Sequence, residues 1–188
     1  VDCGISWALF AMTSRFSVLD ADNSVELELW LQAWEGWPNR DVWGHPHYVR
    51  LFAHGDTRAR CAVFNDEHGG QVAYPFLQRP VPQDGHIDGN SDITSAYGYG
   101  GPALWGSSDE AKLAETFWAA FDGWAADEKI VSEFIRFRLD SHHFYPGAIV
   151  DRQSNYVARL DLDDAAVMRS FEPKVRKNIR RADASGVE

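Results

Sequence analysis

A run rich in glycine and aromatic residues at positions 92–106, reading DITSAYGYGGPALWG, limits what this chain can fold into more than any other stretch. Glycine has no Cβ, so the backbone of this run can adopt positive φ and can come close to a ligand. The tyrosine and tryptophan rings add flat faces with polar tips. One candidate ligand-binding set follows from this run: Tyr97, Tyr99, Gly100, Gly101 and Trp105.

The run leads directly into the strongest predicted helix. Ser107 and Glu110 have the spacing of a capping box, in which the hydroxyl and the carboxylate each accept a bond from the other residue's amide. A glycine loop before a helix N-terminus is also a potential anion site, because free N–H groups and the positive end of the helix dipole point the same way. The alternative is a long, irregular surface loop. An apolar stripe predicts the buried face of this helix: Leu113, Phe117, Phe121 and Trp124.

Upstream, the sequence predicts a strand, two helices and a hairpin. The strand covers residues 16–19, a helix capped by Ser24 follows and ends near Gly36, and a short second helix starts at Pro46. Two further strands, at residues 60–64 and 71–77, are joined by a turn that contains Gly69 and Gly70. Two helices between the first and second strands are the order of elements found in acetyltransferases.

Two prolines and one segment of alternating side chains carry further predictions for the sheet. Pro75 within a strand indicates an edge strand or a bulge, and Pro80 marks the start of an expected long loop. The strand predicted at residues 131–139 alternates apolar side chains with Arg136 and Arg138, so that one face presents two guanidinium groups. These arginines either bind an anionic substrate or lie on a solvated face.

The C-terminal part is predicted to contain a strand at residues 156–162 and a helix that starts at Asp163. Pro173 either kinks that helix or begins a new one, and Gly186 is its expected end. Basic side chains surround the last helix and are suited to bind phosphate, since arginine matches phosphate oxygens bidentately. The alternative is a solvated amphipathic helix. The predicted phosphate-binding residues are Lys174, Arg176, Lys177 and Arg180, with Arg181 beside them.

Composition places the chain among ordinary globular proteins. Its 188 residues are 45% apolar, which is enough for one domain with a substantial core. The net charge of −10 argues against a general nucleic-acid binder, although residues 174–188 contain five basic and two acidic side chains. Cys3 and Cys61 are read as free thiols. Residues 1–15 are interpreted as an N-terminal extension or an artefact of the start site, with no signal peptide or membrane span.

Other chemical motifs fail on inspection. His45 and His47, or the pair at positions 142–143, match no standard zinc-ligand spacing, so no metal site is predicted. The sequence has no GxSxG, HExxH, P-loop or GxGxxG pattern, which excludes the usual hydrolase, zincin and nucleotidase families. No residue is identifiable as a general base, so the catalytic residues are left unassigned.

The motif YGYGGP at residues 97–102, followed by KVRKNIRRADASGV at residues 174–187, resembles the FemAB-like family. The type members are the aminoacyl ligases of peptidoglycan cross-bridges, which are built from two acetyltransferase-like (GNAT) halves. The resemblance covers nearly the whole chain and corresponds to the N-terminal half, so residues 16–188 are expected to form a single GNAT-like domain. Ala96 departs from the family pattern, which has proline before the motif.

The resemblance implies an α/β (α+β) fold with a mixed, largely antiparallel sheet and helices on both faces. It implies an acyl or aminoacyl transferase of cytoplasmic location, in which this half binds the acceptor. The acceptor would be a nucleotide-linked or lipid-linked peptidoglycan precursor or an amino sugar of polysaccharide assembly. The donor, aminoacyl-tRNA or acyl-CoA, would be bound mainly by the other half, so no cofactor is expected here. Contact with tRNA or with a membrane surface is compatible with the basic helix. The alternative is a binding module that kept a GNAT-like fold without the chemistry, and the chain is expected to continue beyond Glu188 if it is the enzyme.

Overall fold

A computed structural model describes residues 15–83, 86–139, 144–151, 155 and 161–187. The described residues divide into two compact units, which are residues 1–148 and 149–188 of the chain. The first unit contains a six-stranded sheet with three α-helices. Its strands are β1 (Arg15–Asp20), β2 (Arg58–Asn65), β3 (Gln71–Gln83), β4 (His86–Thr94), β5 (Ala103–Trp105) and β6 (Ile130–Phe134). Its helices are α1 (Ser24–Gly36), α2 (Pro46–Arg50) and α3 (Glu110–Asp127), with a short 3-10 helix at Val42–Gly44.

The sheet is mixed and largely antiparallel, as predicted. Its strands lie in the order β1-β2-β3-β4-β6, and β5 pairs with the beginning of β3. All neighbouring strands are antiparallel except β4 and β6, which run parallel. The order strand, two helices, strand that the sequence predicts at the start of the domain is confirmed.

Helices cover both faces of the sheet, because the strand side chains alternate between two apolar clusters. One cluster joins alternate residues of β1, β2 and β3 to Trp30 and Ala33 of α1 and Val49 of α2. The other joins the opposite residues of β2 and β3, with Ile93 of β4, to the stripe of α3. Each face thus removes its apolar surface from water, which contributes roughly 25 cal/mol per Å² of buried area.

Two helix starts differ from prediction by one or two residues. Asn23, and not Ser24, caps α1: its side-chain oxygen accepts from the amides of Val25 and Glu26. Asp109 caps α3 by accepting from the amide of Lys112 at 3.0 Å, so the predicted Ser107–Glu110 box is wrong. The Asp109 carboxylate also places a negative charge at the positive end of α3 and satisfies one of the free amides there, that of Lys112.

β3 as a whole is not the edge strand that Pro75 predicts, because it has neighbours on both sides, but Pro75 itself lies at a local edge. On one side β3 pairs with β2 along residues 71–78, and on the other with β5 at residues 71–73 and β4 from Leu77 onward. Pro75 lies in the interval that has a ladder partner on one side only. A residue without an N–H is tolerated at such a position.

The loop predicted after Pro80 is a long hairpin instead. β3 continues to Gln83 and β4 returns antiparallel to it, with a shift of register between Pro80 and Pro82. A bulge at the prolines explains how the strand continues through residues that usually interrupt one. The turn between the strands, at residues 84–85, lies outside the described part.

The regular strand is shorter than the one predicted at residues 131–139. β6 ends at Phe134, and beyond it only a parallel bridge between Gly100 and Phe137 continues the ladder. The predicted alternation of side chains between the two faces of the sheet is still present beyond β6. Ile135 packs on the α3 side, whereas Arg138 faces the opposite side. The placement of both arginines on a solvated face is wrong for Arg138, which is buried.

The second unit contains α4 (Asp164–Ser170) and α5 (Pro173–Ala184). Asp163 caps α4 by accepting from the amide of Ala166, and α5 begins afresh at Pro173, one of the two alternatives predicted. Most of the predicted strand at residues 156–162, the histidines at 142–143 and residues 1–14 lie outside the described part. None of the helices described is long and apolar enough to cross a membrane.

Candidate functional site

The YGYGGP motif forms a loop at the carboxyl ends of the parallel strands β4 and β6. We call residues 95–102 the motif loop. The amide of Ser95 donates to the carbonyl of Phe134 at 3.1 Å, and the amide of Gly100 donates to the carbonyl of Arg136 at 2.7 Å. Between these two anchors Ala96 is buried, whereas the side chain of Tyr97 projects into solvent. The carboxyl ends of parallel strands are where open α/β sheets bind ligands, because the chain segments there are free to vary.

Arg138 holds the motif loop from beneath. Its guanidinium donates to the carbonyl of Gly101 at 2.7 Å and to that of Gly100 at 3.3 Å. The same group donates to the Asp41 carboxylate at 2.5 Å and lies 4.8 Å from the ring centre of Trp37. Arg138 is 8% exposed, so this ion pair lies in a poorly solvated setting where its partners fix its geometry.

The glycines of the motif loop are required by internal packing. Gly101 has φ +92°, and a Cβ there would lie 2.9 Å from a ring carbon of Phe137. A Cβ at Gly100 would lie 2.7 Å from the Ser95 hydroxyl, and one at Gly98 would collide with the indole of Trp43. The sequence predicted that these glycines let a ligand come close to the backbone. In the fold, side chains of the protein itself already occupy the space beside them. Ligand binding by Gly100 and Gly101 stays a prediction.

An aromatic rim surrounds the projecting part of the motif loop. Tyr97 is 73% exposed, and its carbonyl accepts from the Tyr48 hydroxyl at 3.0 Å. The ring of Phe52 lies 6.3 Å from that of Tyr97, and the ring of Trp43 meets that of Tyr99 edge-on at 5.0 Å. We define the aromatic rim as these five residues: Trp43, Tyr48, Phe52, Tyr97 and Tyr99. Within the rim the ring of Tyr97 is exposed to solvent, and the other four side chains are partly buried.

The remaining predicted residues of the first unit divide between surface and core. Arg136 is exposed and adjoins the motif loop, since its amide donates to the Ser95 hydroxyl at 3.0 Å. Trp105 lies in β5 opposite Gln71 and packs against the α1 side of the core, so it does not join the rim. The structure therefore brings together Tyr97, Tyr99, Gly100, Gly101, Arg136 and Arg138.

The predicted phosphate-binding residues belong to the second unit. Lys174, Lys177 and Arg180 are exposed along α5. Arg176 is different, because its guanidinium donates to the carbonyls of Arg169 and Phe171 at 3.1 and 2.5 Å. These carbonyls lie at the end of α4, which has no further turn to bond them. Arg176 therefore stabilises the junction of the two helices.

Asp41, Trp37 and Trp43 support the site and were not predicted from the sequence. Asp41 also accepts from the amide of Gly44, at 2.9 Å, and so fixes the 3-10 helix that carries Trp43. An Asp three residues before a glycine is typical of such a cap and was a usable signal. Its pairing with Arg138, 97 residues away, has no local signal in the sequence.

His47 of α2 and His45, which caps this helix, form no metal site with other side chains of the described part. His45 and His47 lie with ring centres 5.4 Å apart, and the amide of His47 donates to Nδ1 of His45. Burial lowers the pKa of His45, and the charge of His47 lowers it further, so the neutral ring is favoured. Among the residues described, no group of three or more His, Cys, Asp and Glu is arranged to hold a metal ion.

No protein-family model matches the chain, and no curated protein matches it. A similar solved structure is a ribosomal-protein-alanine N-acetyltransferase from Brucella melitensis biovar Abortus 2308, 15% identical over 78% of this chain and 99% of that chain. Its TM-score is 0.38. A likeness at this level carries no conclusion about activity, and the α/β class rests on the strands and helices described above.

Proposed function

We propose that the chain is the acceptor-binding half of a FemAB-like acyl or aminoacyl transferase. The acceptor is a peptidoglycan precursor or an amino sugar, and the acyl or aminoacyl donor is bound mainly by a second half. The motif loop binds the acceptor through the aromatic rim, and the location of the reaction is the cytoplasm. Arg136, beside the motif loop, pairs with an anionic group of the acceptor.

The observation that carries this proposal is the exposed ring of Tyr97 on a rigidly anchored loop. The ion pair of Arg138 with Asp41 fixes the motif loop from one side. Gly100 and Gly101 stand where a Cβ would collide with neighbouring side chains. The loop held in this way exposes the ring of Tyr97 to solvent. A loop that is ordered before it meets its ligand loses little conformational entropy on binding. Flat ring faces suit the apolar faces of sugar rings, which both classes of acceptor contain.

A binding module without chemistry is the second candidate, favoured by the ionic groups of the site. Asp41 and Arg138 pair with one another beneath the motif loop, so both groups are engaged within the fold and are not directed at an acceptor. Acyl transfer to an amine requires the neutral amine and donors aimed at the developing oxyanion. In the enzyme these groups come from the second half, and in a binding module they do not exist.

Substitution of Tyr97 tests the proposal. Tyr97→Ala removes the exposed ring and should abolish binding of a nucleotide-linked peptidoglycan precursor or of an amino sugar, measured by calorimetric titration. Stability should change by less than about 0.5 kcal/mol, since the side chain is largely solvated. Tyr97→Phe keeps the ring and is the matched control, which should retain binding. Unchanged affinity in Tyr97→Ala would exclude the aromatic rim as the binding surface.

A transfer assay separates the two candidates. The protein that carries this chain should move an acyl or aminoacyl group onto an acceptor that it binds, and Tyr97→Ala should lower both binding and transfer. Binding that depends on Tyr97, with no transfer from either donor class, would identify a module instead.

A further inference from the structure

A carboxylate held by two phenols lies on the face of the sheet that α3 covers. The hydroxyl of Tyr74, from β3, donates to Glu133 of β6 at 2.6 Å. The hydroxyl of Tyr145 donates to the other oxygen of the same carboxylate at 2.9 Å. Tyr74 is fully buried, whereas Glu133 and Tyr145 are partly buried, so the carboxylate has both a fixed inner side and an outer side near solvent.

Among the residues described, this carboxylate has no cationic partner. Neither Glu133 nor the neighbouring Asp122 forms an ion pair with a lysine, arginine or histidine of that part of the chain, whereas other poorly exposed carboxylates do, such as Asp20 and Asp41. A charged group removed from water without a counter-charge is costly, and proteins usually pair it. Burial, with the nearby charge of Asp122, raises the pKa of Glu133 even though both phenols stabilise the carboxylate.

Two aromatic rings adjoin Tyr145 on the outer side of the cluster. The ring of Tyr145 lies 5.3 Å from that of Trp118 and 5.1 Å from that of Phe137. Asp122 is exposed on α3, one turn beyond Trp118. Low dielectric around a carboxylate strengthens its attraction for a cation that enters, and rings beside it favour an organic cation over a hydrated metal ion.

We infer that Glu133, with Asp122, Tyr74 and Tyr145 around it, is a binding site for a primary ammonium group. An ammonium has three N–H donors, and each Glu133 oxygen keeps a lone pair after accepting from one phenol. The charge of Asp122, which is exposed on α3, adds to the negative potential at Glu133. The site is distinct from the motif loop, since Arg138 and Trp37 adjoin the α1 side of the sheet, whereas Tyr74 and Tyr145, which bond to Glu133, pack on the α3 side.

Titration with ethylammonium chloride, at constant ionic strength and neutral pH, tests this site in the full chain. Chemical shifts of the Tyr145 ring and the Trp118 indole report binding. Glu133→Gln keeps the size and an oxygen acceptor for a phenol but removes the charge, and it should weaken binding about tenfold to a hundredfold. Glu115→Gln is the control, because Glu115 is exposed on the same helix as Asp122 and pairs with Lys112. This variant should bind as the native chain does.

Glucosamine and N-acetylglucosamine extend the test to a larger ligand, since they differ only in the charged amine. The native chain should show the Tyr145 shift with glucosamine alone, and Glu133→Gln should lose it. Equal binding of ethylammonium by Glu133→Gln and the native chain overturns the inference, as does a native chain that shows no shift. Tyr97→Ala should leave this response intact, so failure of the ammonium site and failure of the motif loop as acceptor site are distinguishable.

Discussion

At the scale of single residues, Arg138 connects parts of the chain that the sequence leaves far apart. It links Asp41 and Trp37, which follow α1, to the carbonyls of Gly100 and Gly101. Its flat, multidentate guanidinium is suited to this, because lysine offers a single point of charge. The sequence predicted that Arg138 binds an anionic substrate, but its guanidinium bonds to groups of the fold itself.

Gly101 gives a direct measure of how tightly the motif loop is held. Gly101→Ala places a Cβ against Phe137 at a positive φ, and it should lower the free energy of unfolding by about 1 to 3 kcal/mol. Acceptor binding should fall with it, because the loop can no longer keep its conformation. Urea denaturation and calorimetric titration measure the two effects.

Gly123 is the matched control for this substitution. It lies within α3, and a Cβ added there would meet no atom of the described residues within 4 Å outside its own helix backbone. Gly123→Ala should therefore stabilise the chain by about 0.5 to 1 kcal/mol. A Gly101→Ala variant as stable as the native chain would show that the motif loop is not held as described.

Glu133 makes the stability of the chain depend on pH in a defined direction. Burial raises the pKa of this carboxyl in the fold, so its contribution is fully present below its unfolded pKa of about 4.3 and is lost as pH rises through the folded value. Glu133→Gln does not titrate there. The native chain should therefore lose stability relative to this variant between pH 4 and neutrality, as followed by chemical denaturation. A difference that is constant across that range would contradict the burial of a titrating carboxylate.

At the scale of elements, periodicity predicted most of what the structure shows. The helices α1 and α2, the stripe of α3 and the hairpin of β2 and β3 were predicted because each depends only on spacing along the chain. Caps were predicted less well: whether Ser107 or Asp109 meets a free amide depends on backbone angles that residue type does not determine.

The β3–β4 hairpin and the Glu133 cluster show what local patterns miss. β4 reads HIDGNSDIT, which is polar enough for a loop, and it forms a strand because β3 and β6 supply its hydrogen bonds on both sides. Tyr74 and Glu133 are 59 residues apart and meet only after the sheet has formed. Tertiary pairing of this kind overrides propensity and leaves no periodic signal.

The basic helix α5 permits a prediction that belongs to the element alone. Changing Lys174, Lys177, Arg180 and Arg181 together to Gln should weaken transfer RNA binding and flatten its dependence on salt. Four phosphate contacts correspond to a log–log slope of roughly −3 in the native chain. Arg176 is left unchanged, because its bonds to the end of α4 are structural.

Lys112→Gln provides the control for that experiment, since Lys112 is a basic residue outside α5 that pairs with Glu115. Native-like affinity and slope in the fourfold variant would identify α5 as a solvated amphipathic helix.

At the scale of the whole molecule, aromatic surface and positive charge are found in different units of the chain. The chain is acidic overall, with a net charge of −10, yet its last fifteen residues carry a net positive charge. The first unit presents aromatic surface on the motif loop, and the second presents guanidinium and ammonium groups on α5. Stacking and phosphate binding would thus be served by different units of the chain.

Binding of the acceptor by the aromatic rim of the motif loop can be observed by NMR on ring-labelled tyrosine. In a chain with ¹³C-labelled tyrosine rings, titration with a nucleotide-linked peptidoglycan precursor or an amino sugar should shift the Tyr97 and Tyr99 signals. Tyr74, fully buried on the α3 side, is the internal reference for the same titration. We predict shifts of Tyr97 and Tyr99 that saturate with the binding isotherm, whereas saturated binding with both signals unmoved would contradict the proposed role of the rim.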